Sequence, residues 1–175
     1  MRIILADTPL LLNAAAALFR EYANSLPFSL DYQGFEIELA NLPGKYAPPA
    51  GAILLADVRN RFAGCVALRP LPDPPSWLPG SICEMKRFYV QPSARGLGVG
   101  KALVAAVLDR ARNANYAAMV LDTSADMAAA QHVYQAAGFI PCDRYNTDPD
   151  PTTRYFIRDL APPTQPTQQH HFHHT

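Results

Sequence analysis

Seven consecutive residues, Arg95-Gly96-Leu97-Gly98-Val99-Gly100-Lys101, carry the strongest chemical signal in the chain. Glycines at alternate positions let a backbone turn tightly or approach a ligand closely. They follow Glu84-Met-Lys-Arg-Phe88-Tyr89-Val90, whose end is aromatic and β-branched and which Pro92 must stop, because proline has no N–H for a ladder. They precede Leu103, Val104, Val107, Leu108 and Ala111, spaced as one face of a helix. A helix start offers free N–H groups and a positive dipole end, so this strand–turn–helix suggests a phosphate or pyrophosphate site. The alternative is a glycine-rich turn that binds nothing. Two familiar phosphate loops are excluded. A Walker loop needs Ser or Thr after Gly-Lys, where Ala102 stands, and the dinucleotide fingerprint needs its third glycine where Lys101 stands. No Ser/His/Asp relay is visible, since His132 is the sole histidine before residue 160. Cys83 lacks a histidine nearby and reads as a buried thiol rather than an acyl carrier.

The elements that must hold this loop are legible from periodicity. A β-type run covers Arg2 to Ala6. Thr8 and Pro9 then suit an N-cap and first helical position, and Leu11, Ala14, Ala15, Leu18, Phe19 and Tyr22 mark a buried helix face. A second short helix is predicted over residues 31–42, ending before Pro43. Strands are predicted at 52–58 and 62–68, joined by a turn at Arg59-Asn60-Arg61. The proline-rich segment 71–80 reads as a rigid loop in which Trp77 either anchors or touches substrate. A buried parallel-type strand follows at 117–122, then a helix at 126–137 stopped by Gly138, and a last strand at 154–159.

Composition bounds the rest. The chain has 175 residues, enough for one domain with a core, and its 15 basic and 15 acidic residues balance. That balance speaks against nucleic-acid or membrane partners recruited by charge. No apolar run approaches a bilayer span and the first residues lack a signal-type segment. Cys65, Cys83 and Cys142 sit in apolar settings, as in a reduced cytoplasmic protein. Residues 161–175 are rich in Pro, Gln and His and are expected to form a disordered tail beyond a 1–160 domain. Its four histidines could capture zinc or nickel weakly, but a floppy cluster holds no catalytic geometry, so no metal is expected.

Arg95-Gly-Leu-Gly98-Val-Gly100 resembles the Arg/Gln-x-x-Gly-x-Gly/Ala signature of the GCN5-related N-acetyltransferase (GNAT) family. Glu84 to Val90 is similar to that family's central strand, and Tyr134 followed by Gly138-Phe139 is similar to its late helix. The resemblance spans most of residues 1–160. One departure is Met127, where many members carry an Asn that bonds the pantetheine arm. The resemblance implies an α/β (α+β) fold with a mixed, mostly antiparallel sheet, a splayed parallel strand pair and flanking helices. It implies acetyl-CoA as co-substrate, with the pyrophosphate on the N–H groups of Arg95, Gly96, Leu97, Gly98, Val99 and Gly100, assisted by the α-helix dipole and the side chains of Arg95 and Lys101. The pantetheine would lie along Phe88, Tyr89 and Val90.

The same resemblance implies attack of an amine on a thioester. A lysine-like amine of pKa about 10.4 needs about 4.6 kcal/mol to shed its proton at pH 7, so a base is useful. Glu84 matches the family's glutamate position, although it shares a strand face with Lys86 and could simply pair with it. Tyr134 matches the family's acid, with a core tyrosine as the alternative. Tyr32, Phe35 and Tyr46 line the acceptor wall in this reading or else are core aromatics, and Tyr145 and Asn146 are expected in the acceptor pocket. The implied acceptor is the primary amine of a small molecule or amino acid derivative, used by a monomer or homodimer. The alternatives are a protein lysine or N-terminus, or an acyl-CoA sensor without turnover.

Overall fold

The structure, a computed structural model, describes residues 1–160; the tail expected from 161 onward lies outside the described residues. In chain order the elements are β1 (Arg2–Leu5), α1 (Pro9–Ser25), α2 (Phe35–Ala40), β2 (Ala52–Val58), β3 (Arg61–Pro70), β4 (Ile82–Val90), α3 (Val99–Asn113), β5 (Ala118–Thr123), α4 (Ala128–Ala136), β6 (Ile140–Pro141) and β7 (Arg154–Asp159). The strands form one sheet ordered β1-β2-β3-β4-β5-β7-β6, antiparallel throughout except for the β4–β5 pair. This is the mixed, mostly antiparallel sheet with one parallel pair that the sequence implied.

Local chemistry accounts for the boundaries. Thr8 caps α1 by accepting the Leu11 N–H at 3.3 Å, with Pro9 in the first turn. The β2–β3 hairpin closes on Arg59 and Asn60 at φ 52° and 63°, the left-handed pair of a two-residue type I′ turn. The helix expected over 31–42 is instead broken in two. A 3-10 turn at Asp31–Gln33 ends on Gly34 at φ 68°, and α2 starts afresh behind it. At the late helix Met127 occupies the N-cap position with no side-chain cap. Trp77 is 40% exposed, and Leu71 and Leu78, both buried, anchor the proline-rich loop.

Both faces of the sheet are covered. Ile53, Leu55, Cys65, Ala67 and Tyr89 pack toward α1 and α2, whereas Leu54, Val66, Leu68, Cys83 and Met85 pack toward α3 and α4. β4 and β5 pair only from Ile82↔Ala118 to Glu84↔Val120, after which they part. Opposite β3, Lys86 faces Ala67 and Tyr89 faces Cys65, so Arg87 and Phe88 together oppose Val66. Arg87, at φ 56°, is the extra residue of a β-bulge. The bulge re-phases the strand. Cys83 and Met85 point toward α3 before it, and Phe88 and Val90 do so after it.

Candidate active site

Past Val90 the chain makes a 3-10 turn, Pro92–Ala94, and reaches Arg95 in extended conformation. Gly96 and Gly98 stand at φ 77° and 78°, where L side chains are strained, and Gly98 is the N-cap of α3. The first helical bond runs from the Ala102 N–H to the Gly98 carbonyl at 3.1 Å. Among the described residues, no hydrogen bond engages the N–H groups from Gly96 to Lys101. Six successive amides are thus available at a helix N-terminus. At Gly100 a Cβ would stand 3.1 Å from the Phe88 ring, so a glycine lets α3 start against β4. Val99 is a core residue and Leu97 is 62% exposed, which leaves the loop's binding capacity to its backbone. The Arg95 side chain folds back, its Nε donating to the Val90 carbonyl at 3.2 Å.

A cavity of about 420 Å³ occupies the opening between β4 and β5. Lys86, Arg87 and Phe88 of β4, Asp122 of β5 and Tyr134 of α4 line its base. Tyr22 of α1, Tyr32, and Asp148 from the loop before β7 complete the wall. A glycine-rich amide cradle and a cleft between parting strands therefore share one strand, with Phe88 touching both.

The profile of the acetyltransferase (GNAT) family matches residues 14–139. This chain belongs to the GNAT family. An uncharacterised N-acetyltransferase of Schizosaccharomyces pombe is 37% identical over 145 residues, covering 82% of this chain and 85% of the relative. A second such N-acetyltransferase, from Dictyostelium discoideum, is 28% identical and covers 81% and 90%. Among solved structures, a GNAT acetyltransferase of Staphylococcus aureus superposes with TM-score 0.71 at 21% identity, over 91% of this chain and 99% of that one. An acetyltransferase of Salmonella typhimurium, solved with its cofactor acetyl-CoA, gives 0.64 at 17% identity over 95% and 98%. At those identities the likeness is one of fold. The protein is accordingly an N-acetyltransferase.

In this GNAT enzyme the charged residues of β4 are buried and mostly spoken for. Lys86 Nζ lies 3.1 Å from Asp122 Oδ1, and Asn146 Nδ2 donates to Asp122 Oδ2 at 2.8 Å. Burial disfavours the Lys86 charge, but Asp122 and Glu84 more than offset it and hold its pKa above the usual lysine value. Burial likewise opposes the Asp122 carboxylate, yet Lys86 and Asn146 prevail and depress its pKa. Arg87 meets Glu38 through Nε at 2.7 Å and donates from a terminal nitrogen to Gln33 at 2.9 Å. Burial alone would raise the Glu38 pKa; Arg87, Lys45 and Tyr46 instead bring it to about 2.

The sequence-derived site residues divide accordingly. Tyr32 lines the cavity, but Phe35 does not: it is a core ring beneath the Arg87 guanidinium, 5.3 Å away. Tyr46 is fully buried and donates to Glu38 at 2.7 Å. Tyr145 is also removed from the cavity, packed edge-on against Tyr155 and donating to Glu84 at 3.0 Å. Asn146 serves by holding Asp122. The Tyr89 side chain points to the α1 side, against Tyr22. Glu84 lies apart from the cavity lining. It is 1% exposed, clamped by Arg69 at 2.6 and 2.7 Å and by Tyr145, with Lys86 3.6 Å away. The ion-pair alternative describes it, with Arg69 as an additional partner across the β3–β4 ladder.

Tyr134 is 5% exposed, its ring 5.5 Å from Phe88 and 6.1 Å from Phe139, and it lines the cavity. Burial, helped by Tyr22 and Asp122, raises its pKa well above the ordinary phenol value. It therefore stays protonated and is a hydrogen-bond donor. Cys83 lies in the core, where burial pushes its thiol up and out of nucleophilic range. Among the described residues no cluster of ligating side chains could hold a metal, and no helix is long and apolar enough to cross a membrane. Sequence reasoning missed Arg87, Asp122 and Tyr22 as cavity residues. Arg87 and Asp122 read as ordinary strand charges, and Tyr22 as one more core position on a helix face.

Proposed function

We propose that the protein transfers an acetyl group from acetyl-CoA directly to the primary amine of a small molecule or amino acid derivative. The observation that carries this reading is the cavity between β4 and β5, whose 420 Å³ lies within the usual size range of small-molecule sites and which ends on Phe88 and Tyr134. The donor fits the chain beside it. The amides from Gly96 to Lys101 would hold its pyrophosphate, with the α3 dipole adding about 0.3–1 kcal/mol. Phe88 and Val90 would offer backbone groups to the pantetheine where β4 has no β5 partner. The donor supplies an activated thioester, at which a C–N bond forms as the C–S bond breaks.

Tyr134 donates a hydrogen bond to the departing sulfur as negative charge develops there. It does not surrender its proton, because its pKa lies far above that of a thiol. Asp122, the carboxylate at the base of the cavity, is acidified by Lys86, and Glu84, outside the lining, is sealed behind Arg69 and Tyr145. In this reading Glu84 is a positioning charge for Lys86, and the ammonium form of the acceptor loses its proton to water before attack. The rate at limiting acceptor should then climb about tenfold per pH unit above 7 until the acceptor itself titrates.

A thiol-release assay with acetyl-CoA and a panel of amines tests the proposal. Turnover of small primary amines supports it, whereas turnover confined to peptide lysines or N-termini moves the assignment to protein acetylation. Coenzyme A binding without turnover of either class makes the protein a sensor, and no measurable binding of acetyl-CoA refutes the reading.

A further inference from the structure

The charged groups at the base of the cavity are paired with one another. Lys86 has Asp122, Arg87 has Glu38 and Gln33, and Tyr32 Oη accepts from Gln33 at 2.8 Å. Tyr22 and Tyr134 both line the cavity, and the hydroxyl of neither makes a hydrogen bond among the described residues. Neither hydroxyl is among the sealed, unpartnered polar atoms of the described residues, so each keeps hydrogen-bonding capacity reachable from the cavity. Tyr22 comes from α1 and Tyr134 from α4, on opposite sides of the sheet. Both reach the one cavity, at the opening where β4 and β5 separate.

Resting on the assignment of this cavity to the acceptor, we propose that Tyr22 is an acceptor-binding catalytic residue. Its phenolic oxygen takes a hydrogen bond from the incoming primary amine, Asp122 takes another, and the nitrogen lone pair is thereby turned toward the thioester carbon beside Tyr134. Tyr22 orients and does not deprotonate. Burial raises its pKa, with Lys86 and Arg87 pulling the other way, and the phenol stays neutral. The nucleophile forms the C–N bond, the C–S bond breaks, the amine's remaining surplus proton goes to the leaving sulfur, and Tyr22 keeps its own. The class of acceptor follows: a nitrogen with two N–H groups in its free-base form satisfies both anchors, and an N-methylated one satisfies only one.

Tyr22→Phe tests this cleanly. The variant keeps the ring that packs on Tyr89, 6.1 Å between centroids, and removes a hydroxyl that supports nothing in the fold. Steady-state kinetics with a primary amine, its N-methyl counterpart and acetyl-CoA give the readout. We expect kcat/KM for the primary amine to fall about tenfold, as for loss of one hydrogen bond, with the acetyl-CoA KM and Tm unchanged. The preference of the natural protein for the primary over the N-methylated amine should shrink by a similar factor. Unchanged kinetics and an unchanged preference would overturn the proposal, as would a loss matched by a fall in Tm or a rise in the acetyl-CoA KM. Failure of the natural protein to acetylate any amine would instead overturn the cavity assignment itself.

Discussion

Replacing Glu84 with Gln separates a structural charge from a general base. Glu84 is 1% exposed and bears two short contacts from Arg69, one hydrogen bond from Tyr145 and a longer approach from Lys86. Glutamine keeps the shape and an acceptor oxygen but leaves Lys86 with Asp122 as its carboxylate partner and takes from Arg69 the carboxylate that it meets. Breaking a buried ion pair by removing one partner costs about 3–5 kcal/mol. Arg69 retains 21% side-chain exposure, and water reaching it places the cost near the lower end, about 3 kcal/mol. For a domain of this size that lowers Tm by about 6–12 °C. Calorimetry checks this, and initial rates taken well below the lowered Tm should stay within about threefold of the natural enzyme. The opposite pattern, an unmoved Tm with kcat lower by about 100-fold or more, is what loss of a general base produces. It would refute the structural assignment.

Three further outcomes follow from the same geometry. Gly98→Val forces a β-branched residue to φ 78° in open space, so the fold absorbs about 1–3 kcal/mol of strain while the amide cradle is re-aimed; titration calorimetry should show coenzyme A affinity reduced at least about tenfold, and unchanged affinity would count against the cradle. Tyr134→Phe should lower kcat by about 100-fold with Tm intact, and the natural enzyme should show no alkaline loss below pH 10 from this phenol, whose pKa is raised. Glu38, held at about 2 against a usual 4.5, contributes about 3 kcal/mol that is present above pH 4.5 and lost as pH falls toward 2. Denaturant midpoints of the natural protein and Glu38→Gln should therefore differ most above pH 5 and converge in acid.

The loop was legible because its glycines announce themselves: Gly96 and Gly98 occupy backbone conformations that other residues avoid, and sequence patterning registers such positions. The hairpin, the helix cap at Thr8 and the turn at Gly138 were legible for similar local reasons. The bulge at Arg87 was not, since an arginine in a left-handed conformation leaves no compositional trace and is held there by Glu38 and Gln33, distant in the chain. Strict alternation along β4 consequently puts Glu84, Lys86 and Phe88 on one face, whereas the structure keeps Glu84 beside Lys86 and turns Phe88 toward α3. Glu84 looked catalytic by position because Arg69 and Tyr145, which enclose it, lie in other segments. Gly34 was visible in the sequence, but its power to cut a helix in two depends on the left-handed conformation it adopts.

The extra residue in β4 also divides the strand's labour. Ahead of Arg87 the odd-numbered residues Cys83 and Met85 pack toward α3 and the charged Glu84 and Lys86 face the other way; behind it the even-numbered Phe88 and Val90 pack toward α3 and Tyr89 toward α1. A change in the first half need not travel into the second, because the ladder is already out of step between them. Under the proposed function, acceptor choice would be retuned at Lys86 or its partners without rebuilding the coenzyme berth, whereas deleting Arg87 would remove the bulge and put the two stretches of β4 in one phase.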